Sequence, residues 1–591
     1  MSVEKLIVDH METWTSALQT RSTAGRGSSG KIDLYGIKKL RELILELAVR
    51  GKLVPQDPND EPASELLKRI EVEKAVLVKQ GKIKKQKPLP EISEEEKPFE
   101  LPEGWEWATL TRIAEINPKI DVSDDEQEIS FIPMPLISTK FDGSHEFEIK
   151  KWKDVKKGYT HFANGDIAIA KITPCFENSK AAIFSGLKNG IGVGTTELHV
   201  ARPFSDIINR KYLLLNFKSP NFLKSGESQM TGSAGQKRVP RLFFENNPIP
   251  FPPLQEQERI IIRFTQLMSL CDQLEQQSLT SLDAHQQLVE TLLGTLADSQ
   301  NTGELAENWA RISEHFDTLF TTEASVDALK QTILQLAVMG KLVPQDPNDE
   351  PAENLFNRLC ITRNLSLQNQ LENKEADIML RKIKKQKLVT PPFKLPENWI
   401  CTNLIEICEY LVDCHNKTAP YVDAGIPIIR TTNIRNRNFQ EQDLKFVNKE
   451  TYEFWSRRCA PQPGDIIFTR EAPMGEALII PPNVQWCLGQ RTMLIRVMHE
   501  FISNEFILLA LTEPLLLERA SKHAVGLTVK HLRVGDVETL NIPLPPLNEQ
   551  YRIVAKVKIL LSLCDKAQKK IKSAQQTQLH LADALTEAAI N

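Results

Sequence analysis

The thirteen residues from Gly51 to Ala63 (GKLVPQDPNDEPA) return unaltered from Gly340 to Ala352, 289 positions further along the chain. The segment before them returns too, as Ile44–Val49 (ILELAV) and Ile333–Val338 (ILQLAV). Further matches keep the same order. Lys82–Lys87 (KIKKQK) answers Lys382–Lys387, and Leu101–Trp105 (LPEGW) answers Leu395–Trp399 (LPENW). Late in each half, Ile249–Gln257 (IPFPPLQEQ) answers Ile542–Gln550 (IPLPPLNEQ). Between these borders roughly 150 residues in each half share almost nothing. A repeat this long is a duplicated multi-part module and not a solenoid unit. One frame built twice around two unlike inserts fits a molecule that recognises two different things.

At 591 residues the chain is long enough for several domains, each with its own core. Its 41% hydrophobic and 25% charged residues are ordinary for a soluble globular protein. No apolar run approaches the ~18–20 residues that span a bilayer, so no membrane association is expected. The start, Met1 to Leu6, has no signal-peptide pattern, and the expected location is cytoplasmic. Net charge is −4, which argues against a protein that coats nucleic acid indiscriminately. Sequence-specific binding needs only one basic face and stays open. Nine cysteines are scattered without a C-x-x-C pair. Cys408, Cys414 and His415 lack a second ligand pair at zinc spacing, so reduced thiols and no metal are expected.

Each module reads as three parts. The first is helical: Ile37, Leu40, Ile44 and Leu47 recur at helical spacing, as do Val326, Leu329, Ile333 and Leu336. Gly51 and Gly340 stand where a glycine ends a helix, and Pro55 and Pro344 prevent its resumption. A second helix is expected from about Ala63 to Gln80. The second part is the insert, about 101–247 and 395–541, with short β-like runs such as Ile167–Ala170 and Ile466–Phe468, each entered by a Gly-Asp turn. The third is a long helix with an apolar stripe: Ile260, Phe264, Leu267, Cys271, Leu274, Leu282, Leu288, Val289, Leu292 and Leu296. Its counterpart runs Ile553, Val557, Leu560, Cys564, Ile571, Leu581 and Leu585. Forty helical residues make a rod of roughly 60 Å, and so narrow a stripe suits helix-on-helix packing. The expected fold class is α+β. The expected divisions are 1–98 (helices and linker), 99–250 (first insert domain), 251–390 (central helices), 391–545 (second insert domain) and 546–591 (a helix returning to the N-terminal region).

Over essentially its whole length the chain resembles the specificity subunits of type I restriction–modification systems. The residues that carry the resemblance are Gly165-Asp166-Ile167 and Gly464-Asp465-Ile466, the run from Ile249 to Ile260, and the run from Ile542 to Gln550 followed by Arg552 and Ile553. The segments around the thirteen-residue repeat resemble the subgroup called type IB. The resemblance implies two α/β-type target-recognition domains separated by long antiparallel coiled-coil helices, related by an internal pseudo-twofold. Each domain would read one half of a split, asymmetric site in double-stranded DNA. The helices would act as spacer and as docking surface for two modification (methyltransferase) subunits, with restriction (motor-nuclease) subunits in the full complex. S-adenosylmethionine, ATP and Mg2+ would then sit on those partner subunits, with no cofactor on this chain. A turn of B-DNA is ~34 Å, so a ~60 Å rod could seat two readers one turn apart.

Candidate DNA contacts come from loops that pair cations with turn residues, since Lys and Arg suit phosphates and Gln, Asn, Thr and Arg suit base edges. In the first insert they are Lys171, Thr173, Asn178 and Lys180, then Thr196, then Gly232, Ser233, Gln236, Lys237 and Arg238. In the second they are Thr469 and Arg470, then Gln490 and Arg491, then Thr528, Lys530, His531 and Arg533, with Arg430 and Asn433 as a further pair. An enzyme is not expected. The trio Asp142, Glu148 and Lys150 has no counterpart in the other insert. No Walker loop and no Asn/Asp-Pro-Pro-aromatic tetrapeptide occurs, since Thr390 precedes Pro391-Pro392-Phe393 and Asn247 precedes Pro-Ile-Pro. The alternative function is a duplicated coiled-coil adaptor that joins protein partners without reading DNA.

Overall fold

The computed structural model describes residues 3–21, 31–84, 92–233, 235–370, 373–387, 389–523 and 531–590. The chain divides into two compact units. One comprises Met1–Ser281 with Ala574–Asn591, the other Leu282–Ser573. The main frame helices are α1 (Tyr35–Val49), α2 (Ala63–Lys79), α3 (Leu254–Asp298), α4 (Glu323–Val338), α5 (Ala352–Gln368) and α6 (Leu547–Ile590). Both long helices are continuous across the border between units, so α3 and α6 each contribute one segment to either unit.

In the first unit α1 buries Ile37, Leu40, Ile44 and Leu47, the positions its periodicity selects. Against it lie the start of α3, which buries Ile260, Phe264, Leu267 and Cys271, and the end of α6, which buries Ala582. Arg41 of α1 pairs with Asp272 (2.5 Å) and Glu275 (2.6 Å) of α3. The Tyr35 hydroxyl donates to Asp583 at 2.7 Å, and the Lys52 ammonium to the Ile590 carbonyl at 2.7 Å. The second unit repeats this arrangement with its own segments. There α4 buries Val326, Leu329, Ile333 and Leu336 beside Val289, Leu293 and Leu296 of α3 and Ile553 and Val557 of α6. Lys330, which stands where Arg41 stands, pairs with Asp565 (2.7 Å) and donates to Gln568 (2.6 Å).

The apolar stripes depart from the sequence expectation at two places. Leu288 and Leu581 are half exposed, and the buried positions are their neighbours Val289 and Ala582. Over a helix this long a 3.6-residue turn drifts against a strict heptad, so a leucine one step off the seam faces solvent.

Each insert begins and ends on one antiparallel strand pair, Glu106–Ala108 with Ile249–Phe251 and Ile400–Asn403 with Asn541–Leu544. Beyond this neck both contain the same four-stranded sheet. In the first its order is Ala114–Ile116, Leu198–Pro203, Ile167–Ala170, Ala181–Ile183; in the second, Cys408–Asp413, Thr492–Val497, Ile466–Thr469, Ala477–Ile479. The central strand of each sheet is buried along its whole length, which explains why IAIA and IIFT read as unbroken small or apolar runs. The second sheets differ. The first insert has four strands (Glu148–Lys151, Glu128–Ile132, Ile191–Gly194, Thr160–Ala163). The second insert has three (Lys445–Val447, Ile426–Ile429, Cys487–Leu488) with a separate hairpin of Ile434–Arg435 and Asn438–Phe439. Helices and largely antiparallel sheets therefore coexist in the chain, as an α+β class requires.

Candidate nucleic-acid interface

Three of the repeated motifs meet at one buried point in each unit. In the first, the Trp105 indole donates to one oxygen of Glu256 at 2.9 Å and the Gln56 amide donates to the other at 3.1 Å. In the second, Trp399 and Gln345 do the same to Glu549 at 3.0 and 2.7 Å. Burial pushes both carboxyl groups above the usual glutamate range, and the indole and amide bonds oppose that shift. Arg259 closes on Asp60 at 2.6 Å and Arg552 on Asp349 at 2.6 Å. The neighbouring Gln257 accepts from the Asn209 backbone (3.1 Å), and Gln550 accepts from that of Ser503 (2.8 Å), each at the start of a helix within the insert. The node thus fixes how each insert sits on its own frame. Gly51 and Gly340 are part of it. Their φ of 69° and 72° requires the left-handed region, and a Cβ there would stand 2.5 Å from Pro102 or 2.6 Å from Pro396.

The Gly-Asp turn is a second brace. The Asp166 carboxylate accepts from the Ala163 backbone at 2.7 Å and from Arg202 twice, at 2.9 and 2.7 Å. Asp465 accepts from Gln462 at 2.8 Å and from Arg496 at 2.8 and 2.7 Å. Each arginine lies on the adjoining strand, so the turn is riveted to the sheet. The strand it opens then delivers Lys171 or Arg470 at its far end.

There the candidate loops, distant in sequence, come together. In the first insert the Lys171 amide donates to the Glu197 carbonyl (2.9 Å), and the Lys171 carbonyl accepts from Val239 (2.8 Å). The Thr173 amide donates to the Lys237 carbonyl (3.0 Å), and the Thr173 hydroxyl accepts from the Lys237 amide (3.2 Å). The Arg238 guanidinium closes on the Glu197 carboxylate with two bonds of 2.9 Å. Around this junction Thr196, Asn178, Gly232, Ser233, Gln236 and Lys237 are exposed, while Lys171 and Thr173 are half-buried. Lys180 reaches sideways to the Met134 carbonyl at 2.9 Å and ties the cluster to the second sheet.

The second insert builds a matching junction. The Arg470 amide donates to the Arg491 carbonyl (2.9 Å), and the Arg470 carbonyl accepts from Leu532 (3.0 Å). Glu471 bridges to His531, and the Arg491 side chain pairs with the Glu471 carboxylate. Arg470 pairs with Asp413 at 3.0 Å and donates to the Leu532 carbonyl at 3.1 Å. Arg491 and Arg533 are exposed, and Gln490 and His531 half-buried. The Gln490 amide donates to the Asn416 carbonyl at 3.2 Å, which adds the 415–418 loop to the cluster. Thr528 and Lys530 lie outside the described residues.

Two expected contacts are corrected by their burial. The Thr469 hydroxyl is wholly enclosed; it donates to the Pro473 carbonyl (2.6 Å) and accepts from the Glu476 amide (2.9 Å). The Asn433 side chain is equally enclosed. It accepts from the Arg430 amide (3.2 Å) and donates to the Gln440 and Gln442 carbonyls (3.0 and 3.2 Å). Both hold loops in shape and have no free edge to offer a base. Arg430 pairs with Asp443 at 2.8 Å and backs onto Gly489, where a Cβ would lie 2.9 Å from its Cγ, so it supports the 489–491 loop from behind. The residues missed were acids. Glu197, Glu471 and Asp413 sit inside the clusters, and a search for cations beside turns passes over them.

Among the described residues no helix is long and apolar enough to cross a membrane, and no three His, Cys, Asp or Glu side chains gather as a metal site. A family model described as the type I restriction modification DNA specificity domain matches residues 102–284 and 396–575, one match per half. The chain is 68% identical to the type I restriction enzyme EcoAI specificity subunit of Escherichia coli, with both chains covered in full. It is 57% identical to the EcoEI specificity subunit of the same species, again over the full length of both. The EcoBI specificity subunit matches at 23% identity over 44% of this chain and 52% of its own. With its duplicated frame, its paired inserts and these matches along its length, the chain belongs to the family of type I restriction–modification specificity subunits.

Proposed function

We propose that each loop cluster reads one half of a split, asymmetric site in double-stranded DNA, the 171–238 cluster one half and the 470–533 cluster the other. The supporting observation is the junction itself: equivalent strands on unlike inserts each gather three sequence-distant loops, with Thr196, Gln236 and Lys237 exposed in the first and Arg491 and Arg533 exposed in the second. Lys171, Lys237 and Arg533 suit phosphates, and Gln236, Thr196 and Gln490 suit base edges. The helices α3 and α6, continuous between the units, are the proposed spacer. Catalysis would come from other chains, two modification subunits with S-adenosylmethionine, and restriction subunits with ATP and Mg2+. A duplicated surface supports a pair of identical partners. Val72 and Val76 on α2 are 65% and 46% exposed, and Ile361 and Leu365 at the same places on α5 are 62% and 55% exposed. An apolar i, i+4 pair left open twice is a face for one partner per module.

Exchanging residues 101–247 for the insert of a relative tests the reading. The DNA half-site assigned to the first cluster should change while the other persists, as mapped by methylation of DNA in cells that also carry the modification subunit. A swap that alters both halves, or neither, counts against it. DNA binding that weakens steeply with salt and needs both base blocks separates this function from that of a protein adaptor.

A further inference from the structure

The arginine that closes the first cluster is tied along its Nε–Nη2 side. Arg238 gives its Nε and Nη2 hydrogens to the Glu197 carboxylate at 2.9 Å each, and one Nη1 hydrogen to the Gln236 carbonyl at 3.2 Å. A guanidinium carries five N–H groups. Those three bonds leave one hydrogen on each terminal nitrogen free to donate to a ligand. Both residues stand on fixed backbone. Arg238 exchanges hydrogen bonds with Thr231 (2.8 and 3.0 Å), and Glu197 accepts from the Lys171 amide while its own amide donates to the Thr195 hydroxyl (3.2 Å). The Arg238 side chain is 44% exposed and that of Glu197 is 23% exposed, so the arginine is the more open member of the pair.

Charge decides what such a fork suits. A phosphate attracts net positive charge, and Glu197 cancels that of Arg238. Among the described residues no carboxylate pairs directly with Lys171 or Lys237 alongside, so these two supply the open cations. What the pair keeps is direction: two donors at fixed spacing, held without the rotamer search of a free arginine. The base edge that accepts two donors in the major groove is that of guanine, through O6 and N7. Resting on the DNA reading assigned to the first cluster, we propose that Arg238 recognises one guanine of the first half-site and that Glu197 is its positioning residue.

The test is a binding selection from random DNA with the full chain and its modification subunits, followed by titration of single-base variants of the selected site. The wild type should demand guanine at one position of the first half-site by roughly ten- to a hundred-fold, and 7-deazaguanine there should cost part of that preference. Arg238→Ala should abolish the preference at that position alone. Glu197→Gln should reduce it several-fold and, by uncovering a charge, steepen the salt dependence of binding by about one phosphate contact. Circular dichroism of each variant checks that the fold is kept. The proposal is overturned if Arg238→Ala weakens all sequences equally and flattens the salt slope, which marks a phosphate contact. It is also overturned if that variant leaves every base preference intact. A wild-type complex that selects no split site would instead refute the underlying DNA reading.

Discussion

Each insert hangs from its own copy of the node and carries its own copy of the four-stranded sheet, yet each closes its loop cluster with a different arginine. In the first, Arg238 from the last loop reaches Glu197 on the middle loop. In the second, Arg491 from the middle loop reaches Glu471 on the loop after the central strand. The strands below match residue for residue: Arg202 and Arg496 grip Asp166 and Asp465 from the same register. Where the chain must place the cluster, the same bonds recur in both halves, with Trp105 and Trp399 donating at 2.9 and 3.0 Å and Arg202 and Arg496 at 2.7 Å each. Where it must present a surface, the partners change while an arginine–glutamate pair persists. Position is therefore held by polar bonds that recur in both halves, while the exposed loop clusters differ.

The largest effect expected is from cutting one of those buried bonds. Asp166→Ala strands Arg202 and frees the turn, a loss on the order of 3 kcal/mol once the partial exposure of Arg202 is discounted. Calorimetric unfolding with limited proteolysis should show the first insert loosened and the second intact, and Asp465→Ala the converse. Loss of both inserts from either change would break the independence of the two readers.

A second difference is sensitive to pH. His199 lies opposite Ile169 in the sheet, and Met493 occupies the same position opposite Phe468. His199 is buried, stacked on Phe244, with its Nε2 3.1 Å from the Val239 carbonyl, and burial holds its pKa down to about 4. A histidine lowered from its ordinary 6.5 stabilises fully above that pH and loses the contribution as pH falls towards 4, at most about 3 kcal/mol. His145 and His161 of the same insert are also held low by burial. Hydrogen exchange at pH 5 and 7.5 should therefore show acid loosening in the first insert, reduced by His199→Met. Equal acid sensitivity in the two inserts would contradict the assignment.

The smallest effect concerns the frame. Gly51→Ala and Gly340→Ala should each cost about 1–2 kcal/mol in backbone strain, with some addition from the encroached proline, and by the same amount in urea unfolding. A difference larger than the error of the fit would show that the two nodes are not equivalent.

Much of this was legible before any coordinates. The helix ends at Gly51 and Gly340, the α2 span and the Gly-Asp strands follow from periodicity, glycine placement and the duplication. The loops that meet at each junction, though not their meeting, were also nameable from residue type. Leu288 and Leu581 lie one step off the seam of the long helices, a shift that the apolar pattern alone does not reveal. Thr469 and Asn433 were misjudged for a related reason: residue type suits a base edge, while enclosure by Pro473, Glu476, Gln440 and Gln442 is invisible in sequence.

By itself, then, the sequence determined that one module was built twice, where its helices stop, where its inserts begin and to which family it belongs, since these rest on local backbone preference and on repetition. Only the tertiary structure decided that Gln56, Trp105 and Glu256 form one node, that three loops of each insert share one junction, and that an acid braces the arginine in each. Those facts are hydrogen bonds and ion pairs between groups 20 to 200 residues apart. No periodicity encodes them, because they come from packing one strand and loop against another.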